Sequence, residues 1–134
     1  MPYQLSWYRE NYIVLATVSG DFSLAELEAY GNELSQHYLE GAQTPIHVIS
    51  DVSAMKKFPT HALTAIRTSE SWLRHPKLGW VILIDKNSNP MLRFLLATVT
   101  QVVKLKYRMV ATPEEALSLL YNLDPALLPV EAKN

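Results

Sequence analysis

Apolar and polar positions along the chain follow two periods, and their alternation predicts the order of elements. Tyr3, Leu5 and Trp7 alternate with Gln4, Ser6 and Tyr8, the period-two pattern of a strand with one wet face. Glu10-Asn11 offers a tight turn into the next strand, so the first two strands are expected to form a hairpin. From Tyr12 to Ser19 both parities are apolar (Val14, Ala16 and Val18 on one, Ile13 and Leu15 on the other), which marks a central strand covered on both faces. Gly20-Asp21 turns the chain. Ser23, with Glu26 three residues later, is a capping box, so a helix is expected from there to Glu40, with Gly41 as its stop. Its inward stripe is Leu24, Leu27, Tyr30, Leu34 and Tyr38. Gly31 lies on that stripe and costs about 1 kcal/mol of helix propensity relative to alanine, a loss that close packing of helix on sheet explains.

Pro45 opens a third strand, Ile46 to Val52, and a loop with Lys56, Lys57 and Pro59 leads to a helix from Thr60 to about His75, ended by Pro76. Leu78 to Ile84 is a nearly continuous apolar strand followed by the polar loop Asp85 to Asn89. Pro90 is placed as a first-turn proline for a third helix, Met91 to Val103. A strand around Tyr107 to Ala111 follows, and Thr112-Pro113-Glu114-Glu115 starts a last helix that ends near Leu123. The expected fold class is therefore α/β, in the order β-β-α-β-α-β-α-β-α. It is a five-stranded, mainly parallel sheet with right-handed crossovers, four helices and an antiparallel N-terminal strand. Beyond Pro125, Leu127, Leu128 and Val130 lead us to expect that part of the tail docks.

Composition narrows the classes. The 134 residues suit one domain, able to bury about two-thirds of its unfolded surface. Hydrophobic residues at 49% and charged residues at 19% exclude a disordered chain and a fibrous repeat. The absence of cysteine removes disulfides, thiolate zinc sites and cysteine nucleophiles. No run reaches the roughly 20 apolar residues of a membrane span, and the first ten residues do not read as a signal peptide, so the expected location is the cytoplasm.

Charge is uneven. Residues 1–55 hold one base against seven acids, residues 56–108 ten bases against two acids, and residues 109–134 one base against four acids. A basic surface for an anionic partner would draw on Lys56, Lys57, Arg67, Arg74, Lys77, Lys104, Lys106 and Arg108. The reading preferred here is solvated faces spread over different elements, with Lys106 and Arg108 guarding an edge strand against mispairing. Nucleic-acid binding is not expected, because no motif interleaves aromatic residues with bases.

Candidate chemistry is sparse. Asp21, Asp51 and Asp85 fall at expected strand carboxyl ends, where parallel sheets bind ligands. Such carboxylates suit a hard cation such as magnesium, or each organises its own turn; we take the second, and assign no metal and no cofactor. His37, His47, His61 and His75 have no ligand-like spacing. With four glycines there is no phosphate loop, and no serine stands in a nucleophile elbow, so no enzyme is expected.

The third helix is more informative. At 100° per residue, Met91, Leu92, Phe94, Leu95, Leu96, Val99, Val102 and Val103 spread over an arc of about 200°, against the roughly 100° needed to cover a sheet. Either the rest of the chain buries the surplus, or a second copy or apolar ligand does. Met91, Phe94, Leu96 and Val103 are the candidate interface.

Two segments, together with the element order, resemble the STAS-like family of SpoIIAA-like domains, found as anti-sigma-factor antagonists and as cytoplasmic parts of sulfate transporters. One is Val18-Ser19-Gly20-Asp21 running into Leu24-Ala25-Glu26-Leu27; the other is Asp51-Val52-Ser53-Ala54-Met55 through Pro59-Thr60-His61-Ala62-Leu63. The resemblance covers nearly the whole chain and implies sequential strand order with the helices largely on one side. Regulatory members carry a phosphorylated serine at the start of the second helix, where the added charge remodels docking. His61 stands at that position here, with Thr60 for the preceding serine, Pro59 for the aspartate and Ala62 for the glycine. The resemblance thus implies a non-enzymatic interaction or regulatory module without its phosphoacceptor, with a protein partner and a homodimer expected. The alternative is a binder of a small apolar, lipid-like or anionic ligand at the strand carboxyl ends, near Asp51, Ser53, Thr60, His61 and Asp85.

Overall fold

The computed structural model describes residues 2–127. Its strands are β1 (Tyr3–Arg9), β2 (Ile13–Asp21), β3 (Ile46–Lys57), β4 (Leu78–Ile84) and β5 (Tyr107–Val110). They form one sheet in sequential order, with β1 antiparallel to β2 and every other pair parallel. The helices are α1 (Leu24–Leu34), α2 (Ala62–Thr68), α3 (Glu70–Leu73), α4 (Pro90–Val103) and α5 (Pro113–Leu123). A π-helical turn, Ser35–Leu39, continues α1, and a 3₁₀ turn, Pro125–Leu127, follows α5. Among the described residues no helix is long and apolar enough to cross a membrane.

The two-sided apolarity of the inner strands is what produces two cores. Val14, Ala16, Val18, Val48, Val52, Val81 and Leu83 pack with residues of α1, α2, α3 and α4 on one face. Ile13, Ile49, Ile82 and Ile84 face the other way, onto Ala116 and Leu120 of α5 and onto Leu127. Because alternate residues of a strand point to opposite sides, each inner strand contributes to both cores. Arg9 donates to the carbonyl of Leu127 and ties the end of the 3₁₀ turn to the β1 hairpin. Leu128 and Val130, which the sequence also suggested would dock, lie outside the described residues.

Four local expectations change. The helix expected over Thr60 to His75 is two helices, broken at Ser69, whose φ of −104° and ψ of 10° leave the helical region. Just before the break the Thr68 hydroxyl donates to the Thr64 carbonyl at 2.8 Å, a back-bond that bends helices. The first of the two starts at Ala62 rather than Thr60, with His61 as its N-cap, the His61 Nδ1 accepting from the Thr64 N–H. β3 runs on to Lys57 because its register follows β2 as far as Asp21, so Lys56 and Lys57 belong to a strand and Asp51 lies well inside it. The first helix loosens into the π turn at Ser35, which carries Leu39 into the core at 0% exposure, while Leu24 stays exposed at the other end.

Gly31 does permit a close approach, but to another helix rather than the sheet. A Cβ there would lie 2.5 Å from Cδ1 of Trp72 on α3. The edge strand β5 matches its expected protection: the Arg108 guanidinium donates to the Tyr107 carbonyl at 2.8 Å and stacks over Trp80 with Lys106 beside it.

Candidate functional site

Four features of the molecule lie where ligand or partner chemistry was expected or where the packing leaves an opening.

The first is a cavity of about 140 Å³ on the face of the sheet that carries α1 to α4. Its floor is β3 and β4, with Ser50, Val52, Val81 and Leu83, and α1, α2, α3 and α4 close over it. The wall is almost wholly apolar and contains no charged side chain. Aromatic rings brace one side: Tyr30 makes edge-to-face contacts with Tyr3, Phe22 and Trp72 at centroid separations of 5.8, 6.0 and 5.8 Å. Burial pushes the Tyr30 phenol up to about 12, with the neighbouring Ser50 side chain pulling the other way. Sequence reasoning did not find this cavity. Its residues are ordinary core types, and a gap between helices leaves no periodic signal.

The second is the loop cluster at the ends of β3 and β4. Asp51 Oδ1 accepts from the Ser53 N–H at 3.0 Å, where β3 carries one extra residue against β2. The Ser53 hydroxyl donates to the Ile84 carbonyl at 3.3 Å and accepts from the Lys86 N–H at 3.1 Å. Asp85, 5% exposed, accepts from the N–H groups of Asn87 and Asn89 at 3.1 and 2.8 Å. The structure therefore joins Ser53 to the Asp85 loop, and each aspartate is occupied with its own turn or bulge. Among the described residues no three His, Cys, Asp or Glu side chains converge as metal ligands.

The third is the start of α2. Thr60 and His61 are exposed and line a separate, shallow depression with Asp21, Ser23 and Lys57, so the structure does not bring them together with Asp51 and Asp85 into one site. His61 Nδ1 is engaged with Thr64, at 2.9 Å from its hydroxyl.

The fourth is α4, where the four candidate interface residues separate. Leu96 and Val103 turn to the sheet and pack, half-buried, on the first core. Met91 and Phe94 point outward at 55% and 71% exposure, joined by Val102 at 46%. α2 packs against α4 and adds Leu63, 55% exposed. The surplus of the apolar arc is thus uncovered among the described residues, and Leu96 and Val103 leave the candidate interface because the sheet needs them.

His47 lies on the opposite face and had no role assigned from sequence. It is 4% exposed and links β3 to β4 and to the end of α5. Both ring nitrogens are engaged, so it is a structural group rather than a free base.

No family model matches the chain, and no curated protein matches it. Solved structures do. An uncharacterized protein of the DUF3478 family with a SpoIIAA-like fold, from Shewanella loihica PV-4, superposes with a TM-score of 0.61 at 16% identity, over 88% of this chain and 91% of the other. The anti-sigma factor antagonist SpoIIAA in its unphosphorylated form superposes with a TM-score of 0.55 at 20% identity, over 88% of this chain and 96% of its own. At these identities the likeness shows the fold, which is SpoIIAA-like.

Proposed function

We propose that this chain is a non-enzymatic, STAS-like interaction or regulatory module that lacks the usual phosphoacceptor serine, and that it docks a second copy of itself through α4. The observation that carries this reading is Phe94, 71% exposed on α4 with Met91 and Val102 exposed on the same helix and Leu63 exposed on the α2 helix that packs against it. Large apolar side chains grouped at one surface mark an interaction site in a folded protein. The occupant follows from charge. Beside Met91, Phe94 and Val102 the exposed side of α4 carries the uncharged Ala97 and Gln101 and a single charge, Arg93, so a two-fold contact of this face with itself sets few like charges in opposition. The polar residues at the strand ends spend their hydrogen bonds on their own loops, which leaves no assembled catalytic group. Sedimentation at micromolar concentration is expected to show a dimer, with Phe94→Glu monomeric and unchanged in thermal stability. A wild-type chain that stays monomeric overturns the reading.

A second reading is supported by the cavity: the module holds a small apolar ligand beneath α1, α2 and α4. Native mass spectrometry of freshly purified protein separates the two, since a retained guest adds mass to each chain and a second copy doubles it. The anionic form of that ligand is not favoured, because Asp51 already occupies the Ser53 N–H within β3 and Asp85 the N–H groups of its loop.

A further inference from the structure

Hydrophobic burial alone would line the cavity with carbon, yet β3 breaks that pattern at one place. Val48, Ser50 and Val52 share a face of the strand, because alternate residues point the same way. Both valines belong to the apolar core, whereas Ser50, 4% exposed, sets a hydroxyl into the cavity wall. Tyr30 of α1, 5% exposed, lines the same cavity. A hydroxyl has one donor and two acceptor positions, so two hydroxyls on one cavity wall have capacity for a further group.

Size and charge restrict what that further group belongs to. The volume of about 140 Å³ is close to that of an engineered apolar cavity of about 150 Å³ that takes up benzene. No charged residue lines it, and an ion moved there without a partner would pay a large desolvation penalty, so the guest is neutral.

We propose that the cavity is a binding site for a compact, uncharged, single-ring molecule carrying one hydrogen-bonding group, the ring resting among Leu83, Leu92 and Val99 and the polar group paired with Tyr30 and Ser50. The proposal rests on the second reading above and adds the chemical class of the guest to it.

Phenol and toluene test it, being rings of similar size with and without a hydroxyl. Each is titrated into the full chain at neutral pH and followed by amide chemical shifts, in the wild type, Ser50→Ala and Tyr30→Phe. Phenol is expected to bind saturably, with shifts centred on cavity residues, and to weaken roughly threefold to tenfold in either variant, the loss of about one net hydrogen bond. Toluene is expected to bind the variants at least as well as the wild type. If both probes bind and neither variant discriminates between them, the polar recognition is overturned while the apolar-ligand reading stands. If neither probe shifts the cavity residues up to millimolar concentration, both fail; if 1-decanol binds where phenol does not, the single-ring class fails. The ligand-free spectra report folding, and either variant alone suffices for the comparison.

Discussion

The backbone N–H of Trp80 donates to Nδ1 of His47 at 2.9 Å, across the gap between β4 and β3. At this level the ladder slips by one residue, since Ile46 pairs with Leu78 but Val48 pairs with Val81. The bulge leaves a strand amide without a strand carbonyl, and the imidazole supplies the acceptor. An Nδ1 that accepts must place the ring proton on Nε2, and Nε2 lies 2.9 Å from Oδ2 of Asp124, just past α5. One neutral side chain thus satisfies a buried amide and anchors the helix on the far face of the sheet.

Gly79 makes room for that ring. A Cβ at residue 79 would lie 2.5 Å from His47 Nδ1 and 3.2 Å from the Ile46 carbonyl oxygen. Gly79→Ala is expected to displace the imidazole, leave the Trp80 N–H unpaired and destabilise the fold by about 1–3 kcal/mol. Urea denaturation followed by tryptophan fluorescence measures the loss. A midpoint equal to that of the wild type would show that the bulge does not need the imidazole.

Gly31 meets the same steric limit against a larger propensity gain. Alanine there recovers about 1 kcal/mol of helix propensity. It also places a methyl 2.5 Å from Cδ1 and 2.9 Å from Nε1 of Trp72, a ring that is 8% exposed and whose N–H has no hydrogen-bond partner among the described residues. Overpacking typically costs about 1–3 kcal/mol. Gly31→Ala is therefore expected to be net destabilising or neutral, with a red-shifted Trp72 emission as α3 moves away from α1. A clear rise in melting temperature is the contrary result.

Tyr30 gives the protein an alkaline limit. Its phenol is raised from 10.0 to about 12 in the folded state, so below pH 10 both states keep the proton and stability does not depend on it. Between pH 10 and about 12 the unfolded chain releases the proton while the native one holds it, which favours unfolding by about 1.4 kcal/mol per pH unit. Tyr30→Phe removes this contribution. The difference in unfolding free energy between wild type and variant is expected to be flat from pH 7 to 9 and to move in favour of the variant above pH 10. A difference that stays flat to pH 12 would mean the phenol ionises as freely inside as out.

How legible these features were differs by physical cause. The two-faced core follows from parity, because Val14, Ile13, Val81 and Ile82 write both faces of the sheet into adjacent letters, whereas sequential strand order came only with the family resemblance. The cap at Ser23 and the stop at Gly41 are local chemistry and appear where the letters placed them. The long β3 was not legible: its end is fixed by pairing of Gly20 and Asp21 with Met55 and Lys57, a partnership between distant segments. The pairing of His47 with Asp124, 77 residues apart, escapes for the same reason, whereas the break at Ser69 follows a local back-bond that hydrophobic periodicity does not show. Of the candidate site residues, Asp51 and Ser53 bond at the bulge in β3 and Asp85 holds its own loop, whereas Tyr30 and Ser50 carry no signal until α1 is laid across β3.

Arg108 offers a test of how the exposed margin of the sheet is kept from pairing with another chain. In a parallel edge strand alternate residues turn their N–H and C=O groups away from the neighbour; Lys106 and Val110 bond to β4, so Tyr107 and Met109 face outward. The Arg108 guanidinium closes one of these outward carbonyls, that of Tyr107, while its plane lies 4.8 Å from the Trp80 ring centroid. The stacking holds the side chain in place and the hydrogen bond blocks the template. Arg108→Ala is expected to cost at most about 1 kcal/mol in stability, because the group is exposed, and yet to raise the rate of light-scattering growth on mild heating severalfold. Arg108→Lys keeps the charge but cannot stack and donate in the same planar geometry, so it is expected to restore only part of the resistance. If the lysine variant resists aggregation as well as the wild type, charge alone guards the edge; if alanine does too, the edge is protected by its shortness.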